Sequence, residues 1–171
     1  RVCVMDSHIS EAGITGLFVG AAMTGMLQVV VFMLGVLITL TMDLMVNQGG
    51  KSHYMSCGKL TVPMVMRTTL GATRRSAAQH SQSLHVWFSH VPGLKVVMPS
   101  TPYDAKGLLK TAIRDNSPVA FFEDKLMFNL KGPVPAEEYT IPFGVADVKH
   151  EGTDITIVAT SSMVQVALGA A

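Results

Sequence analysis

Short, mostly apolar runs rich in β-branched residues alternate along the chain with stretches that have helical spacing. These runs predict strands at Val29–Met33, Val62–Met66, Lys95–Met98, Val119–Phe122 and Ile155–Ala159. The helical patterns occupy Glu11–Gly25, Val36–Gln48, Pro102–Arg114 and Met163–Ala171. Strands that are apolar throughout and alternate with helices are typical of parallel sheets covered on both faces. The pattern therefore predicts an α/β fold with a mostly parallel sheet covered by helices.

Polar residues and prolines mark the ends of these elements. Ser10 precedes the first helical pattern, and Thr101 precedes the third, which begins with Pro102. A serine or threonine can cap a helix, and proline suits the first helical turn because it needs no backbone donor there. The stretch Asp115-Asn116-Ser117-Pro118 is expected to end the third helix and lead into the next strand.

The last third of the chain contains two polar segments that predict a division into domains. Residues 131–142 include three prolines and an acidic pair, which indicates a surface arm or linker. Lys149–Asp154 has the composition of a polar hinge. We expect one domain over residues 1–148 and the start of a second, incomplete domain over residues 149–171. Neither end of the chain resembles a natural terminus, so we interpret the sequence as a fragment.

Composition raises the question of a membrane. Hydrophobic residues make up 49% of the chain, charged residues only 15%, and the mean hydropathy is +0.38. The run Ala12–Met42 carries no charge, and an uncharged run longer than about 20 residues can span a bilayer. Its glycines and its β-branched stretch favour a helix, a strand and a second helix instead, and no basic cluster flanks it. Burial against partner chains would explain the same composition.

Charge and cysteine content exclude several other classes. The net charge is +1 and the basic residues are scattered, which argues against a nucleic-acid partner. The two cysteines, Cys3 and Cys57, lie far apart and form neither a metal-ligand spacing nor a disulfide framework. Free thiols in a reducing compartment are the expected state.

Two residues are candidates for chemistry. Glu11 stands at the head of the first helical pattern, where a carboxylate can simply complement the helix dipole, worth less than about 1 kcal/mol. It is also followed by Gly16-Leu17 and Gly20-Ala21, the E-x4-G-Φ-x-x-G-Φ pattern of thiamine diphosphate enzymes. His80 is either a histidine hydrogen-bonded within a loop or a group that transfers protons.

Longer stretches carry a specific resemblance. Residues 6–13, Asp-Ser-His-Ile-Ser-Glu-Ala-Gly, are similar to a D-T-P-I-S-E-x-G stretch, and residues 77–82 match an A-A-Q-H-S-Q block. Residues 92–97, 99–109 and 112–118 follow in the expected order. The chain thus resembles β subunits of thiamine diphosphate-dependent 2-oxo acid and acetoin dehydrogenases, which bind the cofactor's pyrimidine through a transketolase-like domain. Residues 131–135 and 139–144 look most like the acetoin and bacterial pyruvate branch.

The resemblance implies roles for individual residues. Glu11 would hydrogen-bond a pyrimidine ring nitrogen and so help the cofactor lose the proton of its thiazolium carbon. Ile9, Met33 and Leu37 match positions that contact the ring, and His80 would move protons during acyl transfer to a lipoyl group. The G-D-G motif that holds diphosphate and Mg²⁺ in this superfamily does not occur in the sequence. The resemblance therefore places diphosphate and Mg²⁺ on a separate α subunit.

The expected protein is an oxidoreductase subunit in an α2β2 heterotetramer that decarboxylates pyruvate or cleaves acetoin and passes the acyl unit to a dihydrolipoyl acyltransferase core. It would lie in the bacterial cytoplasm or the mitochondrial matrix. A branched-chain 2-oxo acid dehydrogenase β subunit is the near alternative. Val31, Val36 and Leu37 replace a glutamate, an asparagine and a phenylalanine of the family pattern, and Leu44 replaces a polar residue. A diverged, non-catalytic structural subunit therefore stays open, as does a small membrane protein built on Ala12–Met42.

Overall fold

A single parallel sheet forms the centre of the molecule. The computed structural model describes residues 4–72 and 75–171. Four strands pair in the order β1-β2-β4-β3, and every neighbouring pair is parallel. The strands are β1 (Gln28–Val31), β2 (Met64–Leu70), β3 (Lys95–Val97) and β4 (Val119–Asp124). The predicted fold class is confirmed, and so is the presence of the first four predicted strands.

Five α-helices surround the sheet within the described residues. They are α1 (Glu11–Met23), α2 (Ser52–Met55), α3 (His85–Ser89), α4 (Pro102–Arg114) and α5 (Ser162–Ala170). Short 3₁₀ segments occur at Gly35–Thr41, Gln79–Ser81 and Lys125–Asn129, and a π-helical turn occupies Leu44–Gly49. The bounds predicted for α4 are confirmed, whereas α2, α3 and the short 3₁₀ turns were not predicted.

The predicted helix caps are present. The Gly13 amide donates to the Ser10 hydroxyl at 3.3 Å, and the Asp104 amide donates to the Thr101 hydroxyl at 3.0 Å. Each bond satisfies one of the backbone donors that a helix leaves unpaired at its amino end. Pro102 lies in the first turn of α4, where no such donor is required.

The strands alternate between two apolar layers. On one face of the sheet, Met64 and Met66 of β2 and Phe122 of β4 pack with α1, the segment 35–45 and Phe88 of α3. On the other face, Val65 and Phe121 pack with α4. Because successive strand residues point to opposite faces, two central strands that are apolar on both sides hold three layers together.

Two predictions about secondary structure are wrong. Ile155–Ala159 forms no strand; Ile155, Ile157 and Val158 are exposed. A strand needs a neighbour for its backbone donors and acceptors, and none of the described strands pairs with this run. The segment Val36–Gln48 is helical but is not one regular α-helix. Its first half is a 3₁₀ helix in which the Thr39 and Thr41 hydroxyls donate to carbonyls three residues earlier.

Residues 131–142 form an arm along α4, as their composition predicts. Lys106 donates to the backbone carbonyls of Glu137, at 3.0 Å, and Pro135. Tyr139 stacks on Tyr103 with ring centroids 4.5 Å apart. The Thr111 hydroxyl donates to the Ile141 carbonyl at 2.6 Å. These contacts lie on the outer side of α4, which faces away from β1 and α1.

None of the described helices is both long enough and apolar enough to cross a membrane. The uncharged run Ala12–Met42 is divided among α1, β1 and the 3₁₀ segment, which is the alternative that its glycines favoured.

The carboxylate that ends α4 gives a pH-dependent prediction. Asp115 accepts from the Lys95 ammonium at 2.5 Å and from the Ser117 amide at 2.8 Å. Burial raises the pKa of Asp115, but the bonds from Lys95 and Ser117 outweigh it, so the pKa lies below its ordinary value. A lowered carboxyl pKa stabilises the fold above the unfolded pKa of about 3.9, and the stabilisation disappears as the pH falls through the folded pKa.

We therefore expect Asp115→Asn to lower the midpoint of thermal unfolding at neutral pH by an amount worth less than about 1 kcal/mol, because Lys95 is half exposed. The gap between the variant and the wild type should begin to close as the pH falls below about 3.9 and disappear below the folded pKa of Asp115. Thermal melts across this pH range measure it. A gap that stays constant down to the lowest pH would contradict the assigned role of the charge.

Candidate functional site

The direction of α1 fixes the position of Glu11. Only residues 24–27 join α1 to β1, and Val19 and Ala22 of the helix pack in one cluster with Val30 of the strand. A helix that packs on the sheet after so short a connection runs antiparallel to the strand. The amino end of α1, with Glu11, therefore lies toward the carboxyl end of β1. In open α/β sheets, ligands bind at this edge.

Glu11 is held by its helix but is not paired through its side chain. It is the acidic residue of the first turn, directly after the Ser10 cap, and it is half-buried. Its carboxylate makes no hydrogen bond or ion pair with any residue in the described ranges 4–72 and 75–171. A half-buried carboxylate with free acceptors can bind a donor or share a proton with a ligand.

The predicted ring-contacting residues are open to solvent to different degrees. Ile9 is 97% exposed and Met33 79% exposed, whereas Leu37 is half-buried in the 3₁₀ segment that packs on α1. Met33 lies two residues after the end of β1, and its carbonyl accepts from the Thr69 hydroxyl at 2.9 Å. Large apolar side chains that are this exposed are typical of surfaces completed by a ligand or another chain.

His80 lies in the loop that follows the carboxyl end of β2. Its turn, Gln79–Ser81, contacts the 3₁₀ segment Gly35–Thr41 that carries Leu37. The His80 side chain is exposed, and its backbone carbonyl accepts from the Lys125 ammonium. The structure thus places the His80 turn, the Leu37 segment and the head of α1 on the same edge of the sheet.

Two charged residues at this edge were missed in the sequence. Asp124 ends β4 and is buried; it accepts from the Leu126 amide at 2.9 Å and from the Ser162 hydroxyl at 2.7 Å. Lys125 follows it and is only 5% exposed. The signal that could have found them is an adjacent Asp-Lys pair directly after an apolar strand, since strand ends at this edge carry functional side chains.

The arrangement suits one side of a heteroaromatic ring that carries hydrogen-bonding nitrogens. It offers a carboxylate that has no partner among residues 4–72 and 75–171, with apolar side chains at the same edge of the sheet, which is the composition expected of a small-molecule site. Within residues 4–72 and 75–171, no group of three or more histidine, cysteine, aspartate or glutamate side chains could hold a metal ion. The carboxylate of Glu11 and the apolar side chains at this edge are compatible with the pyrimidine of thiamine diphosphate.

The residues that depart from the family pattern lie on and around β1. Val31 is 62% exposed. Val29 and Val31 lie on the same face of the sheet as Val65, which packs with α4, but the α4 cluster does not extend to this edge strand. Leu44 points at α1, close to Gly16. Val31 therefore adds to an exposed apolar surface beside the candidate site, whereas Leu44 contributes to packing.

A separate cavity of 620 Å³ lies at the opposite edge of the sheet, where β2 and β4 begin. Gly50, Lys51, His53, Val62 and Pro118 are among its lining residues. None of the predicted site residues lines it, so the candidate site is an open surface and not this cavity.

The chain is similar to a known protein family over most of its length. A family model described as "Transketolase, pyrimidine binding domain" matches residues 2–131. The chain is 53% identical over 171 residues to the acetoin:2,6-dichlorophenolindophenol oxidoreductase subunit beta of Bacillus subtilis (strain 168), which covers 100% of this chain and 50% of that protein. It is 46% identical over 172 residues to the mitochondrial pyruvate dehydrogenase E1 component subunit beta-2 of Oryza sativa subsp. japonica, covering 98% of this chain and 46% of that protein.

A solved structure described as a split gene transketolase, inactive beta4 tetramer, has a TM-score of 0.76 and 20% sequence identity. The match covers 95% of this chain and 49% of that one, and at this identity it shows a shared fold. The chain spans about half the length of the curated relatives it matches.

Proposed function

The chain belongs to the transketolase pyrimidine-binding domain family, and we propose that it is the pyrimidine-binding part of the β subunit of a thiamine diphosphate-dependent acetoin or pyruvate dehydrogenase. The resemblance seen in the sequence to this family is confirmed. The observation that carries the proposal is identity to the Bacillus subtilis acetoin relative along all 171 residues. Acetoin comes first because identity to the pyruvate relative is lower, at 46%.

Glu11 is the group that we propose acts on the cofactor. Its carboxylate stands at the carboxyl edge of the sheet, half-buried and with no described protein partner. It would hydrogen-bond the pyrimidine and hold or share a proton at that ring. Thiamine diphosphate, when bound, supplies a nucleophilic carbon and an electron sink for cleavage beside a carbonyl. His80 would transfer protons at the surface where an acyl acceptor approaches.

Apolar side chains would position the ring. Met33 and Ile9 are exposed and Leu37 is half-buried, so Met33 and Ile9 gain most from being covered by a ring or a partner. An apolar surface excludes water and strengthens a hydrogen bond made by the carboxylate. We propose that these three residues cover the pyrimidine while Glu11 orients it.

The partner is proposed from the names of the relatives, which are β subunits. Within residues 4–72 and 75–171, no group of three or more histidine, cysteine, aspartate or glutamate side chains could hold a metal ion. We propose that an α subunit supplies diphosphate and Mg²⁺ binding in an α2β2 assembly, and that a dihydrolipoyl acyltransferase receives the acyl group. Permanent interfaces are apolar, which agrees with the low content of charged residues. The compartment would be the bacterial cytoplasm or the mitochondrial matrix.

A non-catalytic structural subunit is the second candidate. It is favoured by Val31, an apolar and exposed residue where the family pattern has a glutamate, and by Val36 and Leu37 beside it. Val31 and Val36 replace polar residues of the family pattern, and Leu37 replaces an aromatic one. Thiamine diphosphate binding by the assembled complex separates the two candidates.

The test is the complete β chain co-expressed with its α subunit. Oxidation of acetoin, pyruvate and 2-oxoisovalerate is followed with an artificial electron acceptor, with and without thiamine diphosphate and Mg²⁺. We expect cofactor-dependent turnover, fastest with acetoin; the third substrate tests the branched-chain alternative. A soluble, correctly assembled complex that binds no thiamine diphosphate and oxidises none of the three would favour the structural subunit.

A further inference from the structure

The ammonium of Lys125 is buried at the carboxyl edge of the sheet. Lys125 is 5% exposed, and its ammonium donates to the backbone carbonyl of His80. No carboxylate in residues 4–72 and 75–171 forms an ion pair with it. Removing an ammonium from water costs several kcal/mol. Burial of Lys125 next to β4 is therefore unfavourable for the stability of the fold.

The segment that leads into the His80 turn is strained. Arg75 has φ 51° and Ala77 has φ 60°, and both values fall in the left-handed region that side chains with a Cβ avoid. Such conformations persist only where the surroundings fix them, and they concentrate at functional sites. Something must therefore hold residues 75–77 in this conformation.

Apolar packing does not hold the turn. The side chains of Ala77, Ala78, Gln79 and His80 are exposed, and only Ser81 is half-buried. The turn does contact the 3₁₀ segment Gly35–Thr41. The bond from Lys125 joins the turn to the central strand β4, and charge-assisted hydrogen bonds of this kind are about twice as strong as neutral ones.

We propose that Lys125 is a positioning residue, which holds the His80 turn against the carboxyl end of β4 and thereby places the His80 imidazole for proton transfer. The effect on turnover rests on the proposed function, whereas the effect on the turn does not. Lys125 acts through the backbone of the turn and touches no substrate. The buried charge of Lys125 lowers the stability of the fold, but its hydrogen bond to the His80 carbonyl orders the strained segment around Arg75 and Ala77.

The proposal predicts that loss of the Lys125 ammonium disorders the His80 turn without lowering the stability of the fold. Lys125→Met keeps the length of the side chain but removes the charge and the donor. Replacing a buried charge by an apolar side chain of similar volume is often neutral or stabilising. A lysine with a merely structural role would instead lose stability on substitution.

The experiment uses the complete β chain assembled with its α subunit. Hydrogen–deuterium exchange of the peptide over residues 76–84, the midpoint of thermal unfolding and two turnover assays are measured for K125M, K125Q and K125R. One assay uses an artificial electron acceptor and the other uses a lipoyl domain. The matched control is K106M, because Lys106 also donates to backbone carbonyls but does so on the outer side of α4. K125Q provides a second variant should K125M fail to assemble.

In K125M and K125Q we expect exchange in residues 76–84 to rise on the order of tenfold. The midpoint of K125M should stay within about 3 °C of the wild type. In the same two variants, acyl transfer to the lipoyl domain should slow about tenfold, and turnover with the artificial acceptor should slow less. K125R should retain most of its activity in both assays. K106M should show wild-type exchange in residues 76–84. Unchanged exchange in a folded K125M or K125Q complex, or an equal rise in K106M, would overturn the proposal. A complex without any cofactor-dependent turnover would refute the proposed function, and the exchange data would still decide the role of Lys125 at the turn.

Discussion

Replacing Glu11 with glutamine in the assembled enzyme is expected to lower cofactor-dependent turnover by a factor of about 10² to 10⁴, the usual contribution of a positioned acid or base. Glutamine has nearly the same shape, so the head of α1 and its Ser10 cap remain. It cannot hold or share a proton as a carboxyl group can. Turnover at saturating substrate and thiamine diphosphate measures the effect, with the dissociation constant for the cofactor determined in parallel.

The matched control is Glu137→Gln, which makes the same chemical change on the exposed arm along α4. It should retain the turnover and the thermal midpoint of the wild type. The affinity of Glu11→Gln for thiamine diphosphate should fall much less than its turnover, because the substitution leaves the apolar contacts proposed for the ring unchanged. If Glu11→Gln keeps more than about a tenth of the wild-type turnover, the carboxylate is not the acid or base, and its position at the head of α1 reflects the helix dipole alone.

Local chemistry made much of the fold predictable. The start of α4 is specified by Thr101 and Pro102, whose cap and first turn act over a few residues. The start of α1 is specified in the same way by Ser10. The parallel sheet follows from apolar runs that are buried on both faces, and β2 and β4 are the clearest cases. The helix caps can be predicted because they depend on neighbours in sequence, and the strands of the sheet because their own residues are apolar on both faces.

Features that depend on distant partners were not predicted. The run Ile155–Ala159 has the composition of a strand, but composition does not provide a neighbouring strand, and the run lies exposed. Residues 36–48 are apolar almost all round, so their spacing could not distinguish a regular α-helix from the 3₁₀ and π geometry that forms.

The proposed boundary between two domains at residues 148 and 149 stays a prediction. Cys3 lies outside the described residues; Cys57 is free and exposed.

The candidate site shows the same division. Glu11 could be found because it begins a helix and heads a recognisable pattern. Lys125 could not, since its importance arises from a bond to His80, 45 residues away in sequence, and a lysine after a strand is otherwise unremarkable. The openness of Ile9 and Met33 was also not predicted, because a surface completed by another subunit looks like core in sequence.

The amino edge of the sheet, opposite the candidate site, contains the most tightly constrained glycine. Gly93 has φ +96°, a conformation that residues with a side chain rarely adopt, and a Cβ built there would lie 1.9 Å from the Gly50 carbonyl oxygen. That oxygen belongs to backbone and cannot rotate aside. Gly50 is itself packed against Leu94. A side chain added at Gly93 must therefore push the loop before β3 away from the turn at residues 49–51.

Gly93→Ala is therefore expected to destabilise the fold by at least about 3 kcal/mol, which combines the cost of the left-handed backbone with that of moving two packed segments. In the assembled complex this corresponds to a fall of roughly 6 °C or more in the midpoint of thermal unfolding. Gly152→Ala is the matched control, because a Cβ at Gly152 meets nothing within 4 Å, and it should change the midpoint by less than about 2 °C. The remaining folded Gly93→Ala protein should keep its affinity for thiamine diphosphate, since Gly93 and Glu11 lie at opposite edges of the sheet. Equal midpoints for the two variants would mean that the loop before β3 does not pack on the Gly50 turn as described.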